Sequence, residues 1–131
     1  MDLDKVDSFQ DIQELIAIRE DIQALTQRVA LEEAPQMRVD LLDLGESFRL
    51  IAEVPGVSQE NLEVALHGHT LTIAGLREPY SHDIQIISRE RPTGHFQRTI
   101  DLPDAVEREG AHAHLREGLL ILDMPKAKSD G

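Results

Sequence analysis

The sequence predicts an all-β domain, an antiparallel β-sandwich, preceded by an amphipathic helical arm. Three observations carry that expectation. From Met37 onward apolar residues recur with a period of two, the spacing of a strand with one buried face. Short runs of this kind follow each other about every 8 to 12 residues, separated by Gly, Pro and Asp, with no helical stretch between them. Before Pro35 the period is helical instead.

Residues 7 to 33 supply the arm. Leu15, Ile18, Ile22, Leu25 and Val29 repeat at 3-4-3-4 spacing and form one apolar stripe, which Phe9, Ile12 and Ile16 extend slightly off register. Ser8 with Asp11 resembles an N-cap followed by an acid in the first turn, and Ala34-Pro35 closes the segment. At about two heptads the stripe is short for a coiled coil. It can pack on its own domain, pair with a partner helix or dock on other proteins.

The first strand begins at Val39 and Leu41. In the next, Phe48, Leu50, Ala52 and Val54 face one side while Arg49 and Glu53 face the other. Pro55-Gly56 turns the chain, and Ser58 caps a short turn. Leu62, Val64 and Leu66 then reverse through His67-Gly68-His69 into Leu71 and Ile73, a hairpin. A polar loop is expected from Gly75 to Asp83, with strand character resuming over 84 to 91 and again over 96 to 102, where Pro103 stops it. Ala111, Ala113 and Leu115 alternate with His112, His114 and Arg116, giving a strand whose histidine face is expected to be wet. After Gly118, residues 119 to 122 are apolar at every position, as in a strand buried on both faces. The expected division is arm 1–35, sandwich 36–126 and tail 127–131.

Composition narrows the function classes. With three Phe, one Tyr and no Trp, the core must rest on Leu, Ile and Val. The absence of Cys excludes disulfides and thiolate metal sites. No apolar run approaches the roughly 18 residues that span a bilayer, and the N-terminus Met-Asp-Leu-Asp is acidic where a secretory signal would be basic. Cytoplasmic is the default expectation. A net charge of −12 argues against nucleic acid and anionic membrane as partners and favours dispersal in solution.

No enzyme chemistry is indicated. The two His-x-His pairs, His67/His69 and His112/His114, have a spacing that puts both imidazoles on one face of a strand, but no third ligand is evident. No Gly-x-Ser-x-Gly elbow, paired catalytic carboxylates or phosphate-cradling glycine loop occurs. Neither a metal nor a cofactor is expected. Arg89 and Arg91 would share one face of their strand, either solvated or placed for an inter-subunit ion pair.

Three blocks in order resemble the α-crystallin domain of small heat-shock proteins: Phe48-Arg-Leu-Ile-Ala-Glu-Val-Pro-Gly-Val57, Gly94-x-Phe96-x-Arg98-x3-Leu102-Pro103, and Ala113-x4-Gly118-Leu119-Leu120-x-Leu122. The last is similar to that family's Ala-x4-Gly-Val-Leu signature, with Leu119 in place of Val. The resemblance spans about residues 36 to 127.

It implies an immunoglobulin-like sandwich and an ATP-independent holdase that binds non-native client proteins and passes them to ATP-dependent refolding chaperones. In the bacterial and plant branch, homodimers form by loop exchange. Here that implies an interface of Met37, Val39 and Leu41 on the receiving edge, with Tyr80, Ile84, Ile86, Arg89 and Arg91 from the exchanged loop. A groove between the strand of Leu62, Val64 and Leu66 and that of Phe96 and Ile100 is implied as a client site. So is the arm stripe of Phe9, Ile12, Leu15, Ile16, Ile18, Ile22, Leu25 and Val29. No Ile-x-Ile follows the domain in this sequence, so the resemblance implies a dimer rather than a cage, with that groove standing empty. The rival expectations are a co-chaperone-type sandwich adaptor holding one folded partner, and a structural protein whose arm builds an assembly.

Overall fold

The computed structural model describes residues 15–21 and 37–128. They form two stacked sheets. The first has the order β1 (Leu15–Ile16), β8 (His112–Arg116), β9 (Leu119–Pro125), β4 (Ser47–Glu53) and β3 (Val39–Asp43). The second has the order β2 (Ile18–Arg19), β5 (Leu62–His67), β6 (Thr70–Arg77) and β7 (Gly94–Asp101). A 3-10 turn, Gln59–Asn61, leads into β5. The sandwich expected from the period of two is borne out.

Alternation explains the layers. Phe48, Leu50 and Ala52 on β4 and Leu120, Leu122 and Met124 on β9 point inward, facing Leu62, Val64 and Leu66 on β5 and Leu71 and Ile73 on β6. All are almost fully buried. Burial of this much branched aliphatic surface is the main driving term, at about 25 cal/mol per Å² of apolar area. It suits a chain with so few aromatics.

Two turn details fix the register. Glu117 and Gly118 have φ of 52° and 79°, the pair of positive values that a two-residue type I′ hairpin requires. This pairs Arg116 with Leu119 and sets the β8–β9 ladder. Gly75 lies inside β6, not at the head of a loop as the sequence suggested. A Cβ there would collide with the Phe96 ring and approach the Asn61 carbonyl oxygen to 2.8 Å. Glycine is required because the 3-10 turn and the Phe96 ring close over the strand.

Three further expectations are corrected. Over 15–19 the backbone is extended rather than helical, because two open sheet edges offer it ladder hydrogen bonds. The rest of the expected arm, with Phe9, Ile12, Ile22, Leu25 and Val29, lies outside the described residues. Segment 84–91 is not a strand but part of an exposed loop, since no sheet edge within the described chain is paired with it. The sandwich is not wholly antiparallel, because β2 runs parallel to β5.

Candidate functional site

The chemistry-bearing features lie on the two flanks of the sandwich. On one flank the sheets end in β3 and β7, and each has one outer edge with no strand beside it among the described residues. Arg98, on β7, reaches across this end and donates from Nη1 to the Met37 carbonyl at 2.9 Å. Val39 and Leu41 point inward and are half-buried against the core, while Met37 is buried outright.

The loop between β6 and β7 carries the exposed apolar surface. Tyr80 is 44% exposed, Ile84 56%, Ile86 43% and Ile87 96%. Among the described residues these four are accompanied by only one other large exposed hydrophobe, Leu44. Such residues stay exposed because a strand-forming Ile-Gln-Ile-Ile run needs an edge to pair with. The same loop brings Arg91 over the Pro55-Gly56 turn, where Arg91 Nη1 donates to the Tyr80 hydroxyl at 3.2 Å. Arg91 and Arg77 line a cleft of about 430 Å³ with Pro55, Gly56 and Pro92. Arg77 stacks over Phe96 at 4.9 Å and donates from Nε to the Pro55 carbonyl. Burial lowers the pKa of Arg77, and the nearby Arg91 charge lowers it further. Arg89 is exposed in the same loop.

On the opposite flank the edges are β8 and β5, and residues 15–19 cover both. Leu15 pairs with His114 and Ile16 with Ala113, antiparallel. Ile18 then pairs with Val64 and Arg19 with Ala65, parallel. Ile16 belongs to the core and Ile18 packs against it. This corrects the implied groove. The strands of Leu62, Val64, Leu66 and of Phe96, Ile100 are separated by β6, so no groove runs between them. Leu62, Val64, Leu66 and Phe96 are inward-facing and buried, and Ile100 is half-buried against the same core. The groove that does exist lies between β5 and β8, and it is filled. The signal was present as Ile16-Ala17-Ile18, an i, i+2 pair hidden within the helical stripe.

The histidines divide by environment. His67 and His69 are exposed at their hairpin, and His67 Nδ1 lies 3.5 Å from Glu20. His112 is exposed, but His114 is fully buried, contrary to the expected wet face. Its position explains this, because it lies between Leu15 of β1 and Ile121 of β9 on the outer side of the first sheet. Burial pushes its imidazole below the ordinary pKa. The Asp123 charge opposes that shift, while Arg116 and Arg49 add to it. Beside it Arg49 grips Asp123 through Nε and Nη2, the latter at 2.7 Å from Oδ2. Among the described residues no three His, Asp or Glu side chains gather as a metal site would need.

With this geometry in place, the comparisons decide the family. Residues 40–131 match the model of the Hsp20/alpha crystallin family. The chain belongs to that family. It is 33% identical to small heat shock protein C4 of Rickettsia felis over 91 residues, covering 68% of this chain and 56% of that protein. It is 32% identical over 91 residues to a probable 15 kDa heat shock protein of Leptospira interrogans, covering 70% of each. Several curated relatives are matched over little more than half their length. Among solved structures, a small heat-shock protein from Xylella fastidiosa aligns with a TM-score of 0.63 at 30% identity, over 72% of this chain and 89% of that one. The hspA of Xanthomonas axonopodis aligns at 0.60 and 32%, over 69% and 92%. This small heat-shock protein therefore carries the family's sandwich, as its three sequence blocks implied.

Proposed function

We propose that the protein is an ATP-independent holdase chaperone that binds partly unfolded proteins and keeps them from aggregating. The observation that carries this reading is the loop of Tyr80, Ile84, Ile86 and Ile87. It presents branched apolar side chains on a molecule whose net charge of −12 keeps it dispersed. Surface of this kind is adaptable and not specific to one partner.

The same loop supports a homodimer. Ile84 and Ile86 of one copy would add as a strand to the β3 edge of the other, near Met37, Val39 and Leu41. Such exchange removes an open edge that otherwise templates aggregation. Arg91, beside Arg77 in the cleft under the Pro55-Gly56 turn, and Arg89 are placed to receive carboxylates of the partner. Clients would then be released to ATP-dependent refolding chaperones in the cytoplasm. Among the described residues no helix is long and apolar enough to cross a membrane.

Light scattering of a heated client protein, without nucleotide, tests the reading. Equimolar chain is expected to suppress scattering at least severalfold. Undiminished scattering at a fivefold excess would refute the holdase role.

A further inference from the structure

Arg77 is buried like a core residue, at 7% exposed, yet its guanidinium carries a full charge. A cation so buried is ordinarily paired with an anion. Its contacts here are of another kind. Nε donates to the Pro55 carbonyl at 3.3 Å, and the guanidinium lies 4.9 Å from the centre of the Phe96 ring. The charged group acting on it is a second cation, Arg91, whose repulsion adds to the effect of burial. Arg91 in turn donates from Nη1 to the Tyr80 hydroxyl, a neutral acceptor. Acids outnumber bases 25 to 13 in this chain, so an acidic neighbour is the ordinary outcome for an arginine. Arg38, Arg49 and Arg108 each have one. Among the described residues Arg77 and Arg91 have none.

Both guanidiniums line the cleft of about 430 Å³ walled by Pro55, Gly56 and Pro92. The two prolines bring no N–H, so the side-chain donors of this space are the two arginine forks. Each fork has several N–H groups, and the contacts above leave donors to spare on both. Apolar walls of proline and the nearby Phe96 ring keep water from one side and strengthen a charge contact. Two cations facing one space are neutralised by a doubly charged anion, where a single carboxylate would leave half the charge. The volume falls within the range of small-molecule sites, about 300 to 1,000 Å³, so it admits an organic substituent as well as the bare ion.

We propose that the cleft under the Pro55-Gly56 turn is an oxyanion site for a phosphate dianion, free or as a phosphate monoester, held by the forks of Arg77 and Arg91. The site lies within one chain and does not rest on the holdase reading. A bound dianion would cancel the repulsion between the two guanidiniums and, through Arg91 and Tyr80, fix the start of the exposed loop.

The test is isothermal titration calorimetry of the full chain at about pH 8, where phosphate is doubly ionised. Sodium chloride holds the ionic strength constant. Inorganic phosphate and phenyl phosphate are the probes, and acetate is the singly charged comparison. The tighter of the two phosphates is expected to bind about tenfold or more above acetate. Arg91→Gln should weaken it by about tenfold or more, the loss of one charge-assisted fork. Arg108→Gln removes the same charge beside Glu20 on the opposite flank and should leave the affinity within about twofold. Tighter binding of phenyl phosphate assigns the site to monoesters, and tighter binding of inorganic phosphate assigns it to the free ion. No binding of either phosphate, acetate binding as tightly, or equal losses in the two arginine variants overturns the proposal.

A second measurement needs no variant. In nitrogen-15 spectra of the arginine Nε–H groups, the Arg77 and Arg91 signals should both move on saturation with the tighter phosphate. An Arg77 signal that stays in place while phosphate binds would put the ion elsewhere and overturn the site.

Discussion

The two flanks of the sandwich solve the same problem differently. Each sheet ends in an edge strand with unsatisfied backbone groups, and such edges invite pairing with other chains. On the β5–β8 flank the chain covers both edges with four ladder residues of its own. On the β3–β7 flank the outer edges have no strand beside them among the described residues, and the loop that leads into β7 holds Ile84, Ile86 and Ile87 exposed. One flank is closed from within, whereas on the reading proposed above the other is completed by a second molecule. The two ends of one core thus differ in whether the described chain covers its own sheet edges.

The largest effect should come from breaking the open flank. Ile84→Glu with Ile86→Glu removes two apolar side chains from the proposed exchanged strand and adds charge to it. Burial of two isoleucines contributes about 4 kcal/mol, so the dimer dissociation constant should rise roughly a thousandfold. Sedimentation equilibrium reads this directly. Because both positions are exposed within one chain, monomer stability should move by no more than about 0.5 kcal/mol. A variant that remains dimeric at micromolar concentration would show that the open flank is not the interface.

Next in size is a change that touches neither flank. Asp123→Ala takes the carboxylate from Arg49, which is 5% exposed at the centre of the first sheet. Removing one member of such a pair costs about 3 kcal/mol, measured by urea unfolding. Arg49→Met with Asp123→Leu should recover most of that loss. If Asp123→Ala alone costs under 1 kcal/mol, the central pair is no more than a surface ion pair.

The closed flank should respond less. Ile16→Ala removes part of a core side chain, but one held by a two-residue strand that can relax, so a cost of about 2 kcal/mol is expected. The dimer constant should stay within threefold of wild type. A loss of association as large as that of the Ile84/Ile86 variant would erase the distinction between the flanks.

How much of this was legible in the sequence follows the same division. Strands β4 to β6 and β7 to β9 announced themselves through alternation and through Pro55-Gly56, Gly68 and Gly118 at their turns. The closed flank did not, because Leu15, Ile16 and Ile18 satisfy a helical stripe and an i, i+2 strand equally well. What decides between them is the pair of edges at β5 and β8, far away in sequence. The open flank misled for the converse reason. Ile84, Ile86 and Ile87 have strand character that a single chain does not use, so alternation placed a strand where the structure has an exposed loop. His114 looked solvated because no local pattern reveals that Leu15 will lie beside it.

That last residue gives the smallest expected effect and the finest probe of the closed flank. His114 is neutral and buried in the folded protein, with its pKa held below the ordinary value of about 6.5 by burial, which outweighs the opposing Asp123 charge. The unfolded chain therefore binds a proton more readily than the folded one. Stability is fully present above pH 6.5 and is lost as the pH falls from there toward the depressed folded value. One such group gives a slope of at most about 1.4 kcal/mol per pH unit. His114→Asn should flatten that part of the profile in urea unfolding between pH 7 and pH 5. Because His114 pairs with Leu15, hydrogen exchange at β8 should accelerate over the same interval in the wild type and not in the variant. Acceleration at β3 instead would assign the proton-sensitive opening to the other flank.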